Sequence, residues 1–101
     1  MMNIADFGKV NYWLSCATIK KNSKIKPLDI ILALEKHNIE SRHVWKPMHR
    51  QPFFSEYKFF SSLEEESVSD DLFNRGICLP SDTKMDEYDM KNIIRIIKNL
   101  F

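Results

Sequence analysis

The stretch IESRHVWKPMHRQPFF, residues 39–54, gathers the side chains of this sequence best suited to meeting a charged or planar molecule. Arg42 offers a planar fork that suits a carboxylate, although Glu40 stands two residues away as an alternative partner. Trp45 supplies a flat apolar face, Lys46 a mobile point charge, and His49 a ring that donates or accepts a hydrogen bond near neutral pH. Each also has an ordinary structural reading. Trp45 packs in the core, Lys46 is solvated, His49 bonds a backbone carbonyl, and Arg42 pairs with Glu40 or caps a terminal carbonyl.

Other groupings carry less chemistry. His37, His43 and His49 are spaced by six, which fits neither a helix face nor strand alternation, and the cysteines do not complete a metal set. Nothing in the sequence brings these histidines together with Ser41 and Asp70 as a nucleophilic site. Glu64, Glu65 and Glu66 suit the start of a helix, where negative charge meets the positive end of the dipole. Cys16 and Cys78 form no CxxC and lie in apolar runs, so they read as buried thiols in a reducing compartment.

Composition excludes further classes. Fifteen basic residues against fourteen acidic ones leave a formal charge of +1, which argues against a nucleic-acid partner. Lys20, Lys21, Lys24 and Lys26 read as a solvated turn. No apolar run approaches the ~20 residues that cross a bilayer, and the opening residues lack the layout of a signal peptide. A cytoplasmic protein without a membrane partner is the expectation.

The elements that must position the loop follow from periodicity. NYWLSCATIK, residues 11–20, predicts a strand apolar on both faces, Tyr12, Leu14, Cys16 and Thr18 against Trp13, Ser15, Ala17 and Ile19, covered from both sides. Pro27 suits a first helical position, and Leu28, Ile31, Leu32 and Leu34 supply a stripe for a helix over about residues 27–37, with Asn38 as a left-handed stop. Residues from Ile39 begin a short strand. Pro47 and Pro52 deny it ladder hydrogen bonds, so it is an edge strand running into a rigid loop. Leu63, Val68, Leu72 and Phe73 predict a helix over residues 63–75 that Gly76 ends, and ICLP predicts a brief strand. Asp86 and Asp89 open a terminal helix, striped by Met90, Ile93, Ile94, Ile97, Leu100 and Phe101. The order β-α-β-α-β-α gives an α/β (α+β) small domain, a small sheet with helices packed on it, over residues 1–101. Phe53, Phe54, Tyr57, Phe59 and Phe60 crowd more aromatic surface into one stretch than a small core absorbs, and some of them are expected to face a partner.

Four segments in order, NYWL, then IESR with WKPMH-x-QP, then LFNRGICLPS, then the helix opened by MDEYD, resemble the C-terminal small domain of one family. It is the DegT/DnrJ/EryC1/StrS family of pyridoxal-phosphate-dependent sugar aminotransferases, which place an amino group on a nucleotide-linked keto sugar. The resemblance runs from about Asn11 onward, and WKPMH is similar to members working on surface-glycan sugars. His43 stands where the family usually has proline, and Arg50 where a small or apolar residue is common.

The resemblance implies a loop near the mouth of an active site. By it, Trp45 lies against a sugar or base, Lys46 meets a diphosphate, His49 bonds a sugar hydroxyl and Arg42 binds a carboxylate of the amino donor. It also implies a large domain supplying the Schiff-base lysine, the acidic partner of the pyridine nitrogen and the phosphate cradle. Two glycines in the chain cannot build a glycine-rich phosphate loop. The expectation is therefore a fragment, a truncated product or half of a split enzyme, which alone binds no pyridoxal phosphate and is not catalytic. Its partner would be the missing lobe or a chain carrying it, with a homodimer also open. The alternative is a stand-alone, non-catalytic interaction domain left by a truncated gene, using its aromatic segment.

Overall fold

Strand β3 (Gly76–Leu79) is the element on which the others are assembled, three of its four residues being buried. The computed structural model describes residues 6–62 and 67–101. In chain order these form β1 (Ser15–Thr18), α1 (Pro27–Glu35), β2 (Arg42–His43), two 3-10 turns (Met48–Arg50 and Pro52–Phe54), α2 (Val68–Arg75), β3 and α3 (Glu87–Lys98). The sheet order is β1-β3-β2 and both pairings are antiparallel, so β3 is central and β2 is an edge. It is a small mixed α+β fold.

Helices α1 and α3 pack against one another, and with Ile77 of β3 they enclose the core of Ile30, Leu34, Ile77, Ile93 and Ile96. Leu34 is fully enclosed. Ala17, Ile19 and Leu79 border this core from the sheet, while Cys16 and Cys78, one residue out of phase, point to the opposite face.

Local signals explain the helix ends. Pro27 occupies the first turn of α1, and Lys26 N donates to Asp29 Oδ2 at 2.7 Å. Asn38 takes the left-handed conformation at φ 57°, which lets Ile39 N reach Leu34 O at 3.1 Å. At α3, Asp86 Oδ1 accepts from Asp89 N at 2.8 Å, and Asp89 Oδ2 accepts from Asp86 N at 3.3 Å, a reciprocal capping box.

Several expectations are corrected. The first strand is four residues long, and residues 9–13 are exposed coil. A positive φ of 53° at Tyr12 takes the chain out of the extended region, so NYW is displayed where burial on both faces was expected. The apolar face of α1 is Pro27, Ile30 and Leu34, while Leu28 and Leu32 are exposed. This helix is apolar nearly all round, so periodicity could not select the face. In α3 the buried pair is Ile93 and Ile96, Met90 and Ile94 are exposed, and so is Phe101 beyond the helix end. Helix α2 begins at Val68 and buries no residue of its own. Leu63 and Glu64–Glu66, expected at its start, lie outside the described residues.

Gly76 ends α2 for a different reason from the one expected. Its φ is −86°, an extended conformation open to any residue. What demands glycine is space: a Cβ there would sit 2.3 Å from Leu72 O and 2.5 Å from Val44 Cγ2. The glycine lets α2, β3 and the exit of β2 converge.

Candidate functional site

The proline-bounded loop leaves the sheet at its edge. After β2, Val44 N donates to Gly76 O at 3.3 Å, and the chain then turns outward through Trp45, Lys46 and the buried Pro47. Trp45 is 65% exposed. Its ring faces Trp13, 69% exposed, at a centroid distance of 6.3 Å and a tilt of 40°. Trp13 is itself tethered, because Ser81 Oγ donates to its carbonyl oxygen at 2.7 Å. Two indoles therefore stand side by side on the surface, apart from the core. Lys46 is exposed beside them.

A second set of contacts pins the loop to α2. His49 Nε2 lies 2.9 Å from Asp70 Oδ2, and its ring stacks on Phe59 at 3.7 Å with planes 16° apart. Since the carboxylate accepts, Nε2 carries the proton of this bond. Arg50 Nη1 donates to Asn74 Oδ1 at 3.0 Å and lies 3.6 Å from Asp70 Oδ1. Its guanidinium also stands 5.2 Å above the Phe73 ring, and His43 meets the same ring at 5.7 Å. His43 and Arg50, the two departures noted in the sequence, thus converge on Phe73.

Asp70 is the hub of this set. Ser67 caps α2, accepting from Asp70 N at 3.2 Å and donating through its hydroxyl to Asp70 Oδ2 at 2.5 Å. The Ser67 hydroxyl, foremost, then His49 and Arg50 hold the Asp70 carboxyl below the usual carboxylate range, against the opposing effect of burial. Serine and histidine share one carboxylate oxygen and do not bond each other, so the trio anchors and does not relay a proton to a nucleophile.

Arg42 takes the local partner: Nε and Nη2 both donate to Glu40 Oε1, at 2.7 and 2.5 Å. Both side chains are solvent-exposed, so the pair adds little stability. Arg42 lines an open cavity of about 700 Å³ together with Ser41, Cys78, Ser81, Asp82 and Lys84. Ser41 Oγ, also on that wall, is buried without a hydrogen-bond partner among the described residues.

The structure therefore groups Trp45 and Lys46 with Trp13 at the outer lip, sets His49 inward against Asp70, and leaves Arg42 at the edge strand beside the cavity. Trp13 and Ser67 carried no site signal in the sequence, and Asp70, which nothing in the sequence joined to the histidines, meets one of them, His49, in the fold. Ser67-x-x-Asp70 does carry a cap signature that marks the start of α2, but no spacing rule joins it to His49, 21 residues earlier.

A pyridoxal phosphate site has demands that these residues do not meet. A lysine that forms a Schiff base is desolvated to favour its neutral amine, and all eleven lysines of the chain are exposed. Lys84, on the cavity wall, is among them. Neither glycine of the chain takes a positive φ, and no phosphate cradle is built on them. Among the described residues no group of three or more metal-ligating side chains occurs, and no helix is long and apolar enough to cross a membrane.

Comparison with known proteins agrees with the resemblance seen in the sequence. The sequence model of the DegT/DnrJ/EryC1/StrS aminotransferase family matches residues 2–98. EpsN of Bacillus subtilis (strain 168), a protein named as a pyridoxal phosphate-dependent aminotransferase, is 42% identical over 94 residues, covering 93% of this chain. GDP-perosamine synthase of Vibrio cholerae is 29% identical over 91 residues, covering 90% of it. In each case the chain spans 24% of the relative's length. With a family match along nearly its whole length, this chain belongs to the DegT/DnrJ/EryC1/StrS aminotransferase family.

Proposed function

We propose that these residues form the small domain of a nucleotide-sugar aminotransferase, presenting the Trp13–Trp45–Lys46 lip to a lobe that carries pyridoxal phosphate and the Schiff-base lysine. The reaction would move an amino group from glutamate or a similar donor to a keto sugar used in surface-glycan synthesis. Neither the lobe nor the reaction belongs to this chain by itself.

The observation that carries this reading is the unspent aromatic surface on a rigid mount. Trp13, Trp45, Phe53, Tyr57 and Phe60 are all more than half exposed, yet Trp13 is held by Ser81 and the loop bearing the other four is fastened to α2 by Asp70, Phe73 and Asn74. A surface apolar, fixed and solvent-facing suits a face that closes on another body. The radius of gyration, 15.8 Å, exceeds the roughly 13 Å of a compact domain of this size, as expected for a piece whose natural neighbour completes it. GDP-perosamine synthase is named for an amino-sugar nucleotide product, which supports the substrate class. In this setting Trp45 covers a sugar or base and Lys46 meets the diphosphate. His49 supports the loop through Asp70, and Arg42 exchanges Glu40 for the donor carboxylate.

The test is a chimera in which this chain replaces the matching region of EpsN. Folding is checked by melting, and amino transfer to nucleotide-linked keto sugars is assayed. A folded, active chimera whose kcat/KM falls at least tenfold on Trp45→Ala or Lys46→Ala, with melting unchanged, supports the proposal. A folded, active chimera indifferent to both substitutions refutes the assignment of the lip, and a folded chimera that binds cofactor but transfers nothing refutes the function.

A further inference from the structure

Cys16 and Cys78 are 62 residues apart in sequence and directly opposite across β1 and β3. Their sulfurs lie 3.5 Å apart and both are free thiols. The ladder fixes their type of pairing. Ile19 N donates to Arg75 O at 2.9 Å, so residues 19 and 75 form a hydrogen-bonded pair, as do 17 with 77 and 15 with 79, by alternation. Cys16 and Cys78 fall between these as a non-hydrogen-bonded pair. Val44 N, bonded to Gly76 O at 3.3 Å, agrees: alternate residues of β3 turn their backbone groups to β2.

In such a pair the Cα atoms stand about 4.5 Å apart with side chains at their closest, within the range a disulfide tolerates. Bonding needs the sulfurs to close by about 1.5 Å to a bond of roughly 2.05 Å. Small side-chain rotations supply that distance.

We propose that Cys16 and Cys78 are an oxidation site, converted by a low-molecular-weight disulfide such as glutathione disulfide into a covalent clasp between β1 and β3. Cys16 is half-buried and Cys78 buried, and burial, then the neighbouring Cys16 sulfur, push the Cys78 thiol up. Cys16 is therefore the first attacker. Its thiolate attacks one sulfur of glutathione disulfide, that S–S bond breaks, and one glutathione thiolate leaves. Cys78 then gives its proton to solvent and attacks the Cys16 sulfur, expelling the second glutathione. Two cysteine thiols are oxidised and one glutathione disulfide is reduced to two thiols. The clasp sits three residues from Trp13, so the oxidised form fixes the strand into which the coil bearing one indole of the lip runs.

The 101-residue chain is incubated with glutathione disulfide and followed by intact mass, thiol titration and thermal melting. Expected are the loss of two hydrogens' mass without retained glutathione, simultaneous loss of both thiols, and a melting temperature raised by roughly 10–30 °C. Cys78→Ser should keep one glutathione as a stable adduct, and Cys16→Ser should react at least tenfold more slowly. A stable glutathione adduct on the unsubstituted chain, crosslinked dimers, a lowered melting temperature, or no reaction while Cys78→Ser is modified would each overturn the proposal.

Discussion

Replacing Gly76 with alanine probes the junction that aims the loop. The new Cβ would meet Leu72 O at 2.3 Å, Val44 Cγ2 at 2.5 Å and Val44 Cβ at 2.9 Å. The valine can rotate, but the carbonyl oxygen belongs to the backbone of α2 and moves only with it. Overpacking of this kind costs about 1–3 kcal/mol, and a backbone clash belongs at the upper end. Against this, φ of −86° is comfortable for alanine, and the less flexible unfolded chain returns about 0.4–1 kcal/mol. The net expectation is a loss of about 2 kcal/mol, or a melting point lower by roughly 8–16 °C, read by urea unfolding. Adding Val44→Ala removes the Cγ2 contact and leaves those to Val44 Cβ and Leu72 O, so a double-mutant cycle should show coupling of about 1 kcal/mol. Tryptophan emission should shift too, since Val44 leads directly into Trp45. If Gly76→Ala costs under about 0.5 kcal/mol, or costs the expected amount without coupling to Val44, close approach is not what the glycine provides.

Other consequences follow from the same geometry. Leu34→Ala, at the fully enclosed centre of the core, should cost about 2–5 kcal/mol in denaturant unfolding, whereas Trp45→Ala should change stability by less than about 0.5 kcal/mol because its ring faces solvent. Asp71 is held down to about 2, first by its hydrogen bond to Arg75, then by the charges of Arg75 and Lys21. Its folded value lies below the ordinary 3.8, so the stability it brings is complete above that pH and is lost as pH falls toward about 2. Asp71→Asn should lower the melting temperature at neutral pH and flatten this acid limb in a pH series of melts, the two proteins converging as pH falls toward about 2. Asp70, also depressed, contributes with the same sign, and Asp70→Asn should in addition release the His49 ring from its carboxylate, visible as changed imidazole chemical shifts by NMR at constant pH.

How much of this was legible in the sequence varies with the physics at each position. Caps were readable because they are local: Pro27, Asn38 and Asp86 act within a turn of themselves, and each does what its type dictates. The edge character of β2 followed from two prolines. The faces of α1 were not readable, since Leu28 and Leu32 match Ile30 and Leu34 in chemistry and only the position of α3 separates them. Tyr12 favours a strand by its β propensity, but a positive φ and the lack of a pairing neighbour override that preference. His49 with Asp70, and Cys16 with Cys78, depend on the tertiary path across 21 and 62 residues, which no spacing rule encodes. Trp45 is exposed where the loop leaves the sheet, and its neighbour across the surface, Trp13, emerged only with the fold.

The most direct test concerns where the reactive lysine resides. The purified chain is incubated with pyridoxal phosphate, reduced with borohydride and mapped by peptide mass, while transfer from an amino donor is assayed in parallel. Sparse labelling scattered over the exposed lysines, with no transfer, is the expected result. Stoichiometric labelling of a single lysine, accompanied by donor-dependent turnover from this chain alone, would contradict the assignment of the chemistry to another lobe.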